Sequence, residues 1–128
     1  MNDIWGPKLW YKMHTKSFKY TPDKRKEYIQ YYTKDVINLI PCASCRDHYK
    51  RLIMHHPIDD FTSNKDSMVK WVIDIHNMVN KDLNKKQLSY DHVIEMYQTN
   101  DRQLKNLILS SIALAGLTII HSVRGLNP

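Results

Sequence analysis

The chain has only two cysteines, Cys42 and Cys45, so any thiol chemistry passes through one pair that no third cysteine can resolve. It has three glycines and no G-x-G-x-x-G run, which excludes a dinucleotide site built on a strand-turn-helix crevice. No apolar run opens the chain, so a cleaved secretory signal is not expected. Acidic residues are in the minority, 13 against 19 Lys and Arg, for a net charge of +6. That balance suits an anionic cofactor, nucleic acid or an acidic membrane surface, but the basic residues are scattered rather than striped, so nucleic-acid binding is not expected. With 128 residues the chain has room for one packed domain and a short appendage, and it needs no metal or disulfide to fold.

What is abundant is apolar spacing at three and four residues, which together with the shortage of glycine predicts an all-α domain without strands. Pro7 starts a first helix whose Trp10, Met13, His14, Ser17 and Phe18 share a face. Thr21 and Pro22 cap a second helix that runs to Ile40 with Tyr28, Tyr32, Val36 and Leu39/Ile40 as its stripe, and Pro41 stops it. A third begins at the cysteine pair, buries Cys45, His48/Tyr49 and Leu52, and ends before Pro57. A loop from Asp59 to Asn64 leads to the clearest helix, marked by Met68, Trp71/Val72, Ile75/His76, Val79 and Leu83. Ser89 caps a short fifth helix carrying Val93, Ile94 and Tyr97. The expected architecture is a four-helix bundle with a small fifth helix across it, over residues 1–100, followed by a C-terminal tail, 101–128.

The tail differs in kind. From Asn106 to Val123 no residue is charged, and a helix over 107–123 would be about 26 Å long, at the lower edge of what crosses a bilayer. A transmembrane anchor is expected there, with one more core helix as the alternative. Ser111 and Ala115 would let two such helices approach closely. Arg102 and Lys105 before the segment outnumber Arg124 after it, which orients the domain towards the cytoplasm.

The run Pro41-Cys42-Ala43-Ser44-Cys45-Arg46-Asp47-His48 puts a C-x-x-C at a helix start, where unpaired N–H groups favour a thiolate. Three chemistries compete. A structural zinc site would add two histidines such as His48 and His76, but the chain has no second C-x-x-C and no H-x3–5-H. A thioredoxin-like pair needs a βαβ frame that the helical pattern does not offer. The third is a dithiol coupled to a flavin. Towards that end His76 and Asn80 lie four apart with Asn77 beside them, a polar edge suited to an adenine or ribose. Trp10 and Trp71 offer flat faces, and Lys8, Lys85 and Lys86 offer charge for a pyrophosphate.

Three motifs taken together resemble the Erv/ALR family of FAD-dependent sulfhydryl oxidases, in its short viral forms. Trp5-Gly6-Pro7-Lys8-Leu9-Trp10-Tyr11-Lys12-Met13-His14 resembles the family's W-G-x-x-x-W-x-x-(L/M)-H. The cysteine run resembles P-C-x-x-C-x-x-H, and Trp71 to Lys85 is similar to W-x-x-x-x-H-N-x-V-N-x-x-L-x-K. The resemblance implies that Cys42 and Cys45 are catalytic and that FAD is held by Gly6, Lys8, Trp10, His14, Cys45, His76, Asn77, Asn80, Lys85 and Lys86. It implies electron flow from a protein dithiol through the pair to FAD and on to oxygen, giving hydrogen peroxide, in a homodimer and without a metal. Cys42 is the implied point of substrate attack and Cys45 the sulfur facing the flavin. The chain lacks a shuttle cysteine pair, and Tyr97 stands where cellular relatives often have Trp. The non-enzymatic alternative is a membrane-anchored helical interaction module whose C-x-x-C binds zinc.

Overall fold

A computed structural model of the chain describes residues 5–99 and 102–112, and every regular element among them is helical. Helix α1, Trp5–Ser17, starts two residues before Pro7, which sits in the first turn where its missing N–H leaves no bond unmade. Its face is the expected one: Trp10, Met13, His14 and Ser17 are buried, together with Gly6 and Leu9. Thr21 is extended, and Pro22–Lys24 is a tight 3-10 turn that precedes α2, Arg25–Gln30. The long second helix is then interrupted by a π-helical stretch, Tyr31–Asp35, before α3, Val36–Leu39.

That interruption has a cause in the spacing of the stripe. Tyr28, Tyr32, Val36 and Ile40 stand four apart, and in an α-helix each step of four overshoots the turn by about 40°. Inserting a wider turn takes up the drift, so all four are buried on one side. Leu39 is correspondingly exposed and Ile40 buried. Ile40 is extended, as a residue before proline prefers, and ends the helix.

Helix α4, Ala43–His55, is capped by Cys42. After it, Ile58–Phe61 forms a 3-10 turn inside the segment expected to be loop. Asn64 caps α5, Lys65–Asp82, through a 2.8 Å bond from the Ser67 N–H to its Oδ1. Ser89 caps α6, Tyr90–Val93, which continues as a π-helical stretch, Ile94–Thr99. Residues 102–112 are helical and exposed throughout.

One core joins α1, the Arg25–Leu39 run, α4 and α5, with α5 supplying Met68, Trp71, Val72, Ile75 and Val79. Each such side chain contributes on the order of 1.5–3 kcal/mol by leaving water. Tyrosine hydroxyls fasten the helices together: Tyr32 donates to the Met13 carbonyl at 2.7 Å, Tyr28 to that of Lys16 at 2.9 Å and Tyr49 to that of Tyr32 at 2.6 Å. Val69, Ile73 and Val93 form a smaller cluster under α6.

Among the described residues no helix is long and apolar enough to cross a membrane. Residues 113–123 of the expected span 107–123 lie outside the described residues, and Leu107, Ile108, Leu109 and Ile112 are exposed within them.

Candidate active site

The cysteine pair is built into the start of α4. Cys42 has extended backbone and its sulfur accepts the Cys45 N–H at 3.3 Å, so the thiol itself caps the helix. Its Sγ also lies 3.2 Å from the Ser44 hydroxyl. Both cysteines are free thiols and half-buried. The hydrogen bond from Cys45 together with that from Ser44 lowers the Cys42 thiol from 9.0 to about 7. Acting as that donor raises Cys45, and burial adds to the effect. The two sulfurs are therefore unequal: Cys42 is the ready thiolate, Cys45 the held proton.

Cys45 lines a partly open, mainly apolar pocket of about 170 Å³. Its walls are Leu9, Trp10 and Met13 of α1, Val36 and Ile40 at the end of the second helical run, Val79 and Leu83 of α5, and Ser44, His48 and Tyr49 of α4. Cys42 is not among them. A reducible ligand in this cavity would meet Cys45, while Cys42 remains available from the other side. Arg46, one residue beyond the pair, donates to the Ile40 carbonyl at 2.7 Å and ties the extended segment to α4.

Behind the cavity, Trp10 stacks on His76 with ring centroids 3.9 Å apart and an interplanar angle of 6°. His14 Nε2 and His76 Nδ1 are 2.8 Å apart, one donating to the other, and Tyr97 stacks on the far side of His14 at 4.4 Å. Burial lowers both imidazoles, His14 to about 3, with His76 adding to the effect, and His76 to about 4 with help from the Lys85 ammonium. Both rings are neutral at physiological pH. His14 Nδ1 is the one buried side-chain polar atom among the described residues that has no hydrogen-bond partner. A buried polar atom left unpaired is costly, so this nitrogen has unused hydrogen-bonding capacity.

The structure thus brings Trp10, His14, His76 and Cys45 to one region, and Gly6 is buried at the start of the same helix. Asn77 and Asn80 bond to the loop after α5. The Asn77 amide donates to the Leu88 carbonyl at 2.8 Å and accepts the Leu88 N–H at 2.7 Å, and Asn80 Nδ2 donates to the Lys86 carbonyl at 3.2 Å. These bonds hold the loop after α5, where Asn84 has a φ of 55°. Lys8, Lys85 and Lys86 are exposed, with Lys85 near enough to His76 to lower it. Trp71 is plain core: fully buried, edge-on to Tyr32, its indole N–H donating to the His56 carbonyl at 2.8 Å.

Sequence reasoning did not reach Asp82, whose carboxylate meets His48 Nε2 at 2.6 Å. It also gave Tyr49 no part in the site, although four-residue spacing from Cys45 placed the two on one face. Among the described residues no group of three or more His, Cys, Asp or Glu is placed to hold a metal ion.

The profile of the Erv1 / Alr family matches residues 7–99. A probable FAD-linked sulfhydryl oxidase of Acanthamoeba polyphaga mimivirus is 35% identical over 95 residues, which are 71% of this chain and 66% of that protein, just under two thirds of its length. The FAD-linked sulfhydryl oxidase of African swine fever virus is 33% identical over 98 residues, 73% of this chain and 80% of that protein. The crystal structure of the yeast Erv1 core shares the fold, with a TM-score of 0.65 at 19% identity over 76% of this chain and 85% of that one. With its cysteine pair, its stacked Trp and His and its match over nearly the whole described domain, the chain belongs to the Erv1 / Alr family.

Proposed function

We propose that the chain is an FAD-linked sulfhydryl oxidase that makes disulfides in substrate proteins through Cys42 and Cys45. The observation that carries this reading is the division of labour in the pair: Cys42 is a low-pKa thiol at a helix start and Cys45 lines a largely apolar pocket. A substrate thiolate attacks Cys42 Sγ of the oxidised pair, the S–S bond breaks, and its electron pair leaves on Cys45. The second substrate thiolate attacks the substrate sulfur of the mixed disulfide and releases Cys42. A leaving thiol held near 7 departs readily at neutral pH, which favours completion over return. The substrate dithiol has then lost two electrons and two protons, and the pair holds the electrons.

Trp10, His14 and His76 hold the cofactor, with the unpaired His14 Nδ1 as its polar anchor and Lys85 nearby for its charged end. FAD, when bound, would supply a two-electron acceptor for the reduced pair, with oxygen as the final acceptor and hydrogen peroxide as its product. The neutral imidazoles stacked and bonded behind Trp10 place hydrogen-bonding capacity next to the pocket without a buried charge.

The four helical runs that share the core are read as a bundle with α6 across it, working as a homodimer on a protein dithiol. The apolar 107–123 segment is read as an anchor that keeps the catalytic domain on the cytoplasmic side of a host or virion membrane.

The test is the visible spectrum of the purified chain under argon, before and after a dithiol. Flavin bands that bleach with dithiol and return with air support the reading, and a colourless protein rejects it.

A further inference from the structure

We propose that His48, oriented by Asp82, is the acid–base group of Cys45. The proposal rests on the oxidase reading above and adds a proton path to it. His48 follows Cys45 by three residues, one turn along the same face of α4, and both side chains line the same cavity. From α5, across the cavity mouth, the Asp82 carboxylate lies 2.6 Å from His48 Nε2. With Nε2 committed, Nδ1 is the nitrogen left to exchange a proton. The His48 side chain is 23% exposed and that of Asp82 51%, so the ring is sheltered while the carboxylate reaches solvent. Around the ring, α4 contributes the titratable groups Cys45 and Tyr49, α5 contributes Asp82, and no ionisable residue of α1 or α3 lines the cavity.

Cys45 needs such a partner because in the reduced pair it holds its proton against Cys42, with burial adding to the effect, and a thiol that keeps its proton is a weak nucleophile. When a substrate thiolate attacks Cys42, the Cys42–Cys45 bond breaks, the bonding electrons go to Cys45 Sγ, and protonated His48 delivers its Nδ1 proton to that sulfur. When the pair is reoxidised, the Cys45 proton returns to Nδ1 and Cys42 has already lost its own to solvent. Two electrons then leave for the bound flavin as the new S–S bond forms. Asp82 holds the ring in the tautomer that presents Nδ1 and stabilises the imidazolium, the part a carboxylate takes beside other catalytic histidines.

A purely structural His48 would also bridge α4 to α5, and His48→Gln separates the two roles. A glutamine amide can still donate to Asp82, but it cannot carry a proton. The experiment uses the flavin-loaded chain and two readouts: the rate at which dithiothreitol bleaches the flavin under argon from pH 5.5 to 9, and the pH midpoint for iodoacetamide alkylation of reduced Cys45, located by fragment mass spectrometry. His48→Gln is expected to slow bleaching about 100-fold near pH 7. It is also expected to raise the Cys45 alkylation midpoint, while Asp82→Asn shifts both readouts in the same direction by less. Parent-like rates and midpoints in His48→Gln would overturn the proposal. If that variant fails to fold, an unchanged pH profile in Asp82→Asn does so instead. Failure of the oxidase reading is distinct, because the parent itself would then show no bleaching.

Discussion

The buried histidine pair sets the acid limit of this fold. His14 and His76 ordinarily titrate near 6.5, but in the folded chain burial holds them at about 3 and about 4. The unfolded chain takes up a proton on each as pH falls below 6.5, and the folded chain does not. Stability is therefore present in full above 6.5, is lost as pH falls, and goes on being lost until the folded values are reached. At pH 5 the unfolded state has gained about 2 kcal/mol per histidine, so about 4 kcal/mol for the two if they titrate independently. Their 2.8 Å contact puts the lower bound nearer 2 kcal/mol, because only one of the two rings then makes its full contribution. Against a domain stability of about 5–15 kcal/mol, a loss of this size is easily seen in urea unfolding. The assay compares unfolding free energies at pH 6.5 and 5.0 in the parent and in His76→Gln, and the drop should be about half as large in the variant. If the two proteins show the same drop, the histidines are not its source and the neutral-pair account fails.

Other outcomes follow from single contacts. Cys45→Ser should retain flavin, since Trp10, His14 and His76 are untouched, and should oxidise dithiothreitol at least about 100-fold more slowly than the parent, read by oxygen uptake. Tyr49→Phe removes the 2.6 Å bond to the Tyr32 carbonyl and should cost about 1 kcal/mol in urea unfolding. Asn64→Ala removes the α5 cap and should cost about 1 kcal/mol without changing flavin content. Deleting residues 102–128 removes no buried residue among those described, so the shortened chain should keep its flavin and its thermal midpoint within a few degrees.

Much of the fold is written in periodicity, and the departures have local causes. The stripes of α1 and α5 are legible because their apolar residues follow the 3.6-residue turn, and all of Trp10, Met13, Met68, Trp71 and Val79 are buried. The π-helical stretch at Tyr31–Asp35 is hidden by the same habit, since a strict four-residue stripe still looks like a helix. At the site, a cysteine pair at a helix start is readable, while the inequality of its two thiols depends on which sulfur accepts the Cys45 N–H. Asn77 and Asn80 show what residue type leaves unsaid. They read as groups for a nucleotide, and their amides also satisfy the backbone of a loop that has no proline or glycine and a positive φ at Asn84. The His48–Asp82 contact joins residues 34 apart, and nothing in the local pattern announces it.

The sparse surroundings of the two sulfurs bear on how the protein survives among competing ions. A zinc ion meeting the reduced pair would find two thiolates, whereas a durable site closes with four ligands. Among the described residues no cluster of three His, Cys, Asp or Glu surrounds the sulfurs, and His48 meets Asp82 through Nε2. The pair therefore offers an incoming metal two sulfurs and no ready-made cage, so a metal bound there would have to complete its shell with water or with groups from outside this cluster.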